Sequence, residues 1–141
     1  MKKALSILVL CLALTSCQKH SSIQRLKDIF QATLMEKNFS AIPQYYHPEL
    51  ILYTNGVKMD YSTYLETHRG MYAPSVHYTL EYDEPTLLEQ GNKMAGRLWL
   101  TTLKDNESPK KMEVVLIVEF KDDKIYRLWE LTDPNWTKEK Q

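Results

Sequence analysis

"FKDDKIYRLWELTDP", residues 120–134, decides the fold. Phe120 closes the extended run KKMEVVLIVEF (110–120), Asp122-Asp123 offers a short polar turn, and KIYRLWELTD (124–133) returns as a second extended run. Two such runs about one turn predict a β-hairpin, and Asp133-Pro134 stops its second strand. Side chains on a strand alternate between two faces. Ile125, Arg127, Trp129 and Leu131 therefore point one way, and Tyr126, Leu128, Glu130 and Thr132 the other. Each face carries one charge, so the choice of concave face decides whether Arg127 or Glu130 meets the core.

Working back along the chain, the period changes at Pro74. After it, VHYTLEYDE (76–84) alternates Val76, Tyr78, Leu80 and Tyr82 against polar partners. TLLEQGNKMAGRLWLTTL (86–103) places a Gly91-Asn92 turn before a long strand through Trp99, and KDNESPK (104–110) is the loop that follows. Before Pro74 the pattern is helical. Ser21 and Gln24 form a capping box, and Ile23, Leu26, Ile29, Phe30, Thr33 and Leu34 make one apolar stripe, which predicts the longest helix. SAIPQYY (40–46) allows a short helical turn capped by Ser40 and ended before Pro48. LILYTNGVKMD (50–60) is a hairpin about Asn55-Gly56, and Asp60 caps a third helix carrying Tyr61, Tyr64, Leu65, His68 and Tyr72 on one face. Helices first and a long antiparallel meander after them make an α+β fold.

The chain opens on Lys2 and Lys3, then an apolar run from Ala4 to Leu14 of about eleven residues, where a bilayer-spanning helix needs about twenty. This is the layout of a secretory signal, and LTSC (14–17) resembles the bacterial lipobox, which implies cleavage after residue 16 and acylation of Cys17. Cys11 would leave with the signal, so Cys17 has no disulfide partner, and acylation consumes its thiol. Residues 17–20 then form a short tether. Gln18, where an aspartate would resemble an inner-membrane retention signal, favours the outer membrane of an envelope that has one. The remainder, 21–141, has the length of one domain. Without Lys2 and Lys3, 16 basic residues face 18 acidic ones and no basic stripe appears, which argues against a nucleic-acid partner.

Two helices, a hairpin, a third helix and the long strands, with YYHPELILYTNG (45–56) leading into a helix and FKDDKIYRLWELTDP closing the domain, resemble the nuclear transport factor 2-like superfamily and its SnoaL-like group. The resemblance runs from about Ser21 to Pro134. It implies a cystatin-like cone: a strongly bent antiparallel sheet wrapped around three N-terminal helices, with a pocket between the concave face and the helix ends. The superfamily includes isomerases, cyclases, dehydratases and domains that only bind, and dimers are common in it. Its ketosteroid isomerases use a carboxylate base and an oxyanion site of a tyrosine with a protonated aspartic acid. The base would fall near Thr54, the acid near Leu116 and the tyrosine on the first helix, where Phe30 stands. All three positions depart from that pattern, which speaks against steroid-type isomerisation.

Glu130 and His68 are the candidate catalytic residues. A carboxyl held in an apolar cup has the raised pKa that acid–base work needs. The bland alternative pairs Glu130 with Arg97 or a neighbouring lysine. His68 is either a satisfied core histidine or a proton acceptor at the pocket wall. Tyr53, Tyr64, Trp99 and Trp129 are candidates to line a pocket for a flat or apolar ligand, or else to fill the cone themselves. His47 reads as a loop residue and His77 as exposed. No His-Glu-x-x-His, paired cysteines or glycine-rich phosphate loop is present, so neither a metal nor a cofactor is expected. The expectation is a lipid-anchored envelope protein whose domain binds a small, largely apolar ligand or an envelope partner. A cofactor-free isomerase, cyclase or hydratase and a dimeric interaction module with a filled cone are the alternatives.

Overall fold

The computed structural model describes residues 20–132. The signal segment, Cys17 and the Asp133-Pro134 stop lie outside the described residues. Helix α1 (Ser22–Phe30) starts where expected, with Ser21 Oγ accepting from the Gln24 amide at 3.1 Å. The capping box is only half made, because the Gln24 side chain donates to Asp28 Oδ1 at 2.8 Å. Leu26, Ile29 and Phe30 are buried on the inner stripe. The chain then widens into a π-helical turn, Gln31–Met35, in which the buried Thr33 hydroxyl donates to the Ile29 carbonyl at 2.7 Å.

A 3₁₀ turn, Phe39–Ala41, leads into α2 (Ile42–Tyr45). Ser40 does not cap it; its hydroxyl donates to Asn38 Oδ1. Strand β1 (Tyr46–Thr54) follows at once and begins before the apolar run that announced it. Proline at 48 favours extended backbone at His47, so His47 lies in the strand, is buried, and accepts from the Glu49 amide through Nδ1 at 3.1 Å. Asn55 and Gly56 both take positive φ, as a tight hairpin turn requires, and β2 (Val57–Asp60) returns. Asp60 caps α3 (Tyr61–His68) by accepting from the Thr63 amide at 2.9 Å, and a 3₁₀ turn, Arg69–Tyr72, extends it. Strands β3 (Val76–Tyr82), β4 (Leu88–Gln90), β5 (Lys93–Lys104), β6 (Lys110–Lys121) and β7 (Lys124–Thr132) complete the order.

Among the described residues the strands form one bent sheet in the order β2-β1-β7-β6-β5-β3, with β4 paired to β5. The α+β cone is the one expected, with one correction: β1 and β7 run parallel, so the sheet is mixed rather than wholly antiparallel. After its hairpin with β6, β7 has a free edge of backbone donors and acceptors, and β1 satisfies it. Strand alternation gives no information about which partner an edge takes.

A second correction concerns β7. Glu119 pairs with Arg127 but Phe120 pairs with Ile125, so Tyr126 is an extra residue, a β-bulge. The bulge changes the phase of the strand. Ile125 is fully buried with Leu128, while Tyr126 lies outside with the Arg127 guanidinium 3.6 Å from its ring centroid. Phe120, Val118, Ile125, Leu52, Leu26 and Ile29 close the core between sheet and helices, each worth about 1.5–3 kcal/mol of burial.

Candidate functional site

The core does not fill the cone. Toward the open end of the sheet, between the concave face and the end of α1, lies a cavity of about 360 Å³. Alternating residues supply its floor: Leu98 and Leu100 from β5, Met112, Val114 and Leu116 from β6, Leu128, Glu130 and Thr132 from β7, and Leu52 and Thr54 from β1. Phe30 from α1 and Leu34 from the π-helical turn close it on one side, and Tyr64, His68 and Met71 from α3 and the turn after it on another. The face of β7 that carries Glu130 is thus the concave one.

Glu130 stands in a row of three: Thr54 faces it across the parallel pair and Leu116 across the antiparallel one. These are the two positions where the resemblance places an isomerase's base and acid. This chain has instead one carboxyl on the strand between them. The carboxyl has no hydrogen-bond or ion-pair partner among the described residues, and burial alone raises its pKa above the ordinary carboxylate range. Pairing with Arg97 does not occur. Arg97 lies on the convex face, where its guanidinium donates to Asp83 at 2.8 Å and to Glu113 at 3.2 Å.

His68 lines the same cavity. Its Nδ1 is 3.0 Å from the Tyr64 carbonyl, and its ring packs on the Tyr64 ring at 4.4 Å. Burial lowers its pKa, more than the bond to Tyr64 raises it, which favours the neutral imidazole. Tyr64 stacks in turn on Tyr46 at 5.0 Å. The hydroxyls of Tyr46, Tyr64 and Tyr72 gather near Thr33, and burial pushes all three phenols up. The Tyr72 hydroxyl is fully buried with no hydrogen bond of good geometry.

The structure therefore brings Glu130, His68 and Tyr64 together and leaves three of the expected aromatics elsewhere. Tyr53 and Trp129 stack on each other on the convex face, with ring planes 3° apart. Trp99 lies between the Arg97 guanidinium and the Lys111 ammonium on the same outer side, at 5.0 and 5.4 Å. None of the three lines this cavity. Tyr46, Asn55, Thr132 and Met71 do, and the sequence reading missed them. The signal for Tyr46 was Pro48, whose extended predecessor would have carried β1 back toward it. A larger open cleft of about 680 Å³ lies at the other end, around the start of α1 and the β6–β7 turn. It is lined by both charge signs, including the Arg25–Asp123 pair at 2.9 Å.

With the cavity placed, comparison with known proteins adds the fold. No family model and no curated protein sequence matches the chain. Solved structures do. A candidate isomerase from Rhodopseudomonas palustris superposes with a TM-score of 0.72 at 12% identity, over 86% of this chain and 96% of that one. A candidate polyketide cyclase from Acidithiobacillus ferrooxidans gives 0.66 at 16% identity, over 86% and 94%. An M. tuberculosis LEH-like epoxide hydrolase gives 0.63 at 12%, over 79% and 82%. What the likeness shows is the fold: helices followed by a large bent mixed sheet, an α+β cone. At these identities the likeness carries the cone fold alone, and the chemistry has to be argued from the residues of this chain.

Proposed function

We propose that this SnoaL-like domain binds a small, largely apolar molecule in the cone cavity, with its one polar end at Glu130. The observation that carries the reading is a mostly apolar cavity with a single unpartnered carboxyl in its wall. Its volume lies in the range of small-molecule sites, about 300–1,000 Å³. A polar group that loses water without gaining a partner is destabilising, and a ligand that pairs with the half-buried Glu130 offsets that cost. Native mass spectrometry of the protein from its bacterial host tests this. The expected result is a retained small mass that disappears on Leu34→Trp, which would fill the cavity's helical wall; a wild-type protein that never retains or takes up any apolar compound would sink the proposal.

Acid–base catalysis is the second reading, favoured by the same carboxyl. An acid that is still protonated above the ordinary carboxylate range can donate its proton to a leaving or attacked oxygen. Glu130→Gln keeps the shape and removes the proton, so binding without turnover in that variant is the mark of an enzyme.

Outside the cavity, the proposal includes anchoring through an acylated Cys17 to a bacterial envelope membrane, the outer one where two exist. Recovery of Cys17→Ala protein from the soluble fraction is expected; persistence in the membrane fraction would end this part of it. The convex face suits a second copy of the chain, because Val115, Ile117, Trp129 and Leu131 are exposed side by side on neighbouring strands.

A further inference from the structure

Given the reading that the cavity binds a small molecule, its wall specifies the polar end of that molecule. A carbonyl cannot donate, so the contact of 3.0 Å between His68 Nδ1 and the Tyr64 carbonyl places the imidazole proton on Nδ1. Nε2 is then a bare acceptor. The Asn55 amide is occupied at both ends: Nδ2 donates to Thr132 Oγ1 at 2.7 Å, and Oδ1 accepts from the Thr132 amide at 3.0 Å. No lysine or arginine lines the cavity. The one side-chain N–H left free in the wall is the second proton of Asn55 Nδ2. Beside it the wall offers one carboxyl, one imidazole acceptor and hydroxyls, which rotate to accept or donate.

Three classes of polar end can be compared on this wall. An anion finds no cation and meets the one group that would repel it. A carbonyl needs Glu130 to stay protonated and gains a neutral hydrogen bond. A protonated amine brings several N–H donors to an acceptor-rich wall and supplies the missing counter-charge, in hydrogen bonds about twice as strong as neutral ones. Thr54, directly across the strand pair from Glu130, completes the seat and reduces the cost of burying the ion pair. The geometry points to a hydrophobic amine as the ligand, its ammonium between the Glu130 carboxylate and the Thr54 hydroxyl and its apolar body against Leu98, Leu100 and Val114.

The linked proton gives this proposal a signature. The titratable groups around Glu130 are Tyr46 on β1, Tyr64 and His68 on α3, and Tyr72 on the turn after it; β6 contributes only the apolar Met112, Val114 and Leu116. None of them supplies a positive charge. Pairing with an ammonium makes Glu130 release its proton to solvent, so amine affinity rises with pH through the raised carboxyl pKa. A ligand that accepts from the protonated acid would weaken over the same range.

Benzylamine, acetophenone and benzoate share a ring and differ in polar end. Calorimetric titration of the protein with each, from pH about 5 to about 8, separates the classes. Benzylamine is expected to bind about tenfold more tightly than acetophenone, with affinity rising with pH, and to lose about tenfold in Glu130→Gln and a smaller factor in Thr54→Val. Acetophenone or benzoate binding more tightly than benzylamine, benzylamine affinity falling as pH rises, or a Glu130→Gln protein that binds benzylamine as wild type does would overturn the amine while leaving a ligand cavity. Absence of binding by all three would overturn the amine and the cavity reading together.

Discussion

The two faces of the sheet treat charge in opposite ways. On the convex face Arg97 meets Asp83 and Glu113, Lys111 meets Glu81, and Lys93 meets Glu119. On the concave face the carboxyl of Glu130 has no described partner. The difference is one of solvent. Outside, water screens each pair, and its members contribute little whether or not they touch. Inside, where Glu130 is half-buried, screening is weaker, so an unpaired acid favours its neutral form or a counter-charge brought by a ligand. Alternation along β7 puts Trp129 on one regime and Glu130 on the other, one residue apart.

The largest break in this comparison is expected from hydrophobic truncation. Phe120 is 2% exposed and Ile117, on the neighbouring face of the same strand, is 48% exposed. Phe120→Ala should cost about 3–5 kcal/mol in urea unfolding, from lost transfer energy and the void left behind. Ile117→Ala should stay within about 0.5 kcal/mol in the monomer. Equal losses would mean that a second copy covers the convex face, and sedimentation of wild type beside Ile117→Asp would then show a dimer and a monomer.

Next in size is the acid itself. Glu130→Leu replaces an unsatisfied polar group by an apolar one and should stabilise the fold by about 1–2 kcal/mol near neutral pH while abolishing binding of any ligand that needs the carboxyl. The pH dependence has a definite sign. Because the folded pKa is raised, the native state holds the Glu130 proton over a window where the unfolded chain has released it. Stability contributed by this group is therefore full below the ordinary glutamate value and lost as pH rises through the folded value. Surface carboxylates such as Glu49 and Asp60, which are shifted down, slope the other way. The difference between wild type and Glu130→Gln across that window isolates the one group, and a flat difference would show that Glu130 is solvated in both states.

Much of the fold was legible because its signals are local. The Asn55-Gly56 turn, the Ser21 and Asp60 caps and the two-residue period after Pro74 each depend on a few neighbouring residues. Glu130 and His68 were legible as candidates for the same reason: a charge in an apolar strand and a histidine on an apolar stripe. What was hidden depends on contacts distant in sequence. The parallel pairing of β1 with β7 brings Thr54 beside Glu130 across most of the chain. The bulge at Tyr126 resets the phase of β7, so Ile125 sits with Leu128 rather than with Arg127. Tyr46 was read as the tail of a short helix, and only β1's early start carries it into the cavity.

The smallest expected effect is the sharpest check on the two-face comparison, because it is a predicted silence. Trp129 is 38% exposed, and its ring rests on Tyr53, on the far side of the sheet from the cavity. Trp129→Ala should change ligand affinity by less than about twofold, since no ligand in the cone reaches it. Tyr64→Ala, by contrast, removes a cavity wall and the stacking partner of both Tyr46 and His68, and should weaken the same ligand measurably. In a Trp136→Phe protein, the intrinsic fluorescence of Trp99 and Trp129 should likewise stay nearly constant through a titration that saturates the cavity. Should Trp129→Ala weaken binding as much as Tyr64→Ala does, the ligand site would belong to the convex face, and Glu130 would be a buried acid with a structural role only.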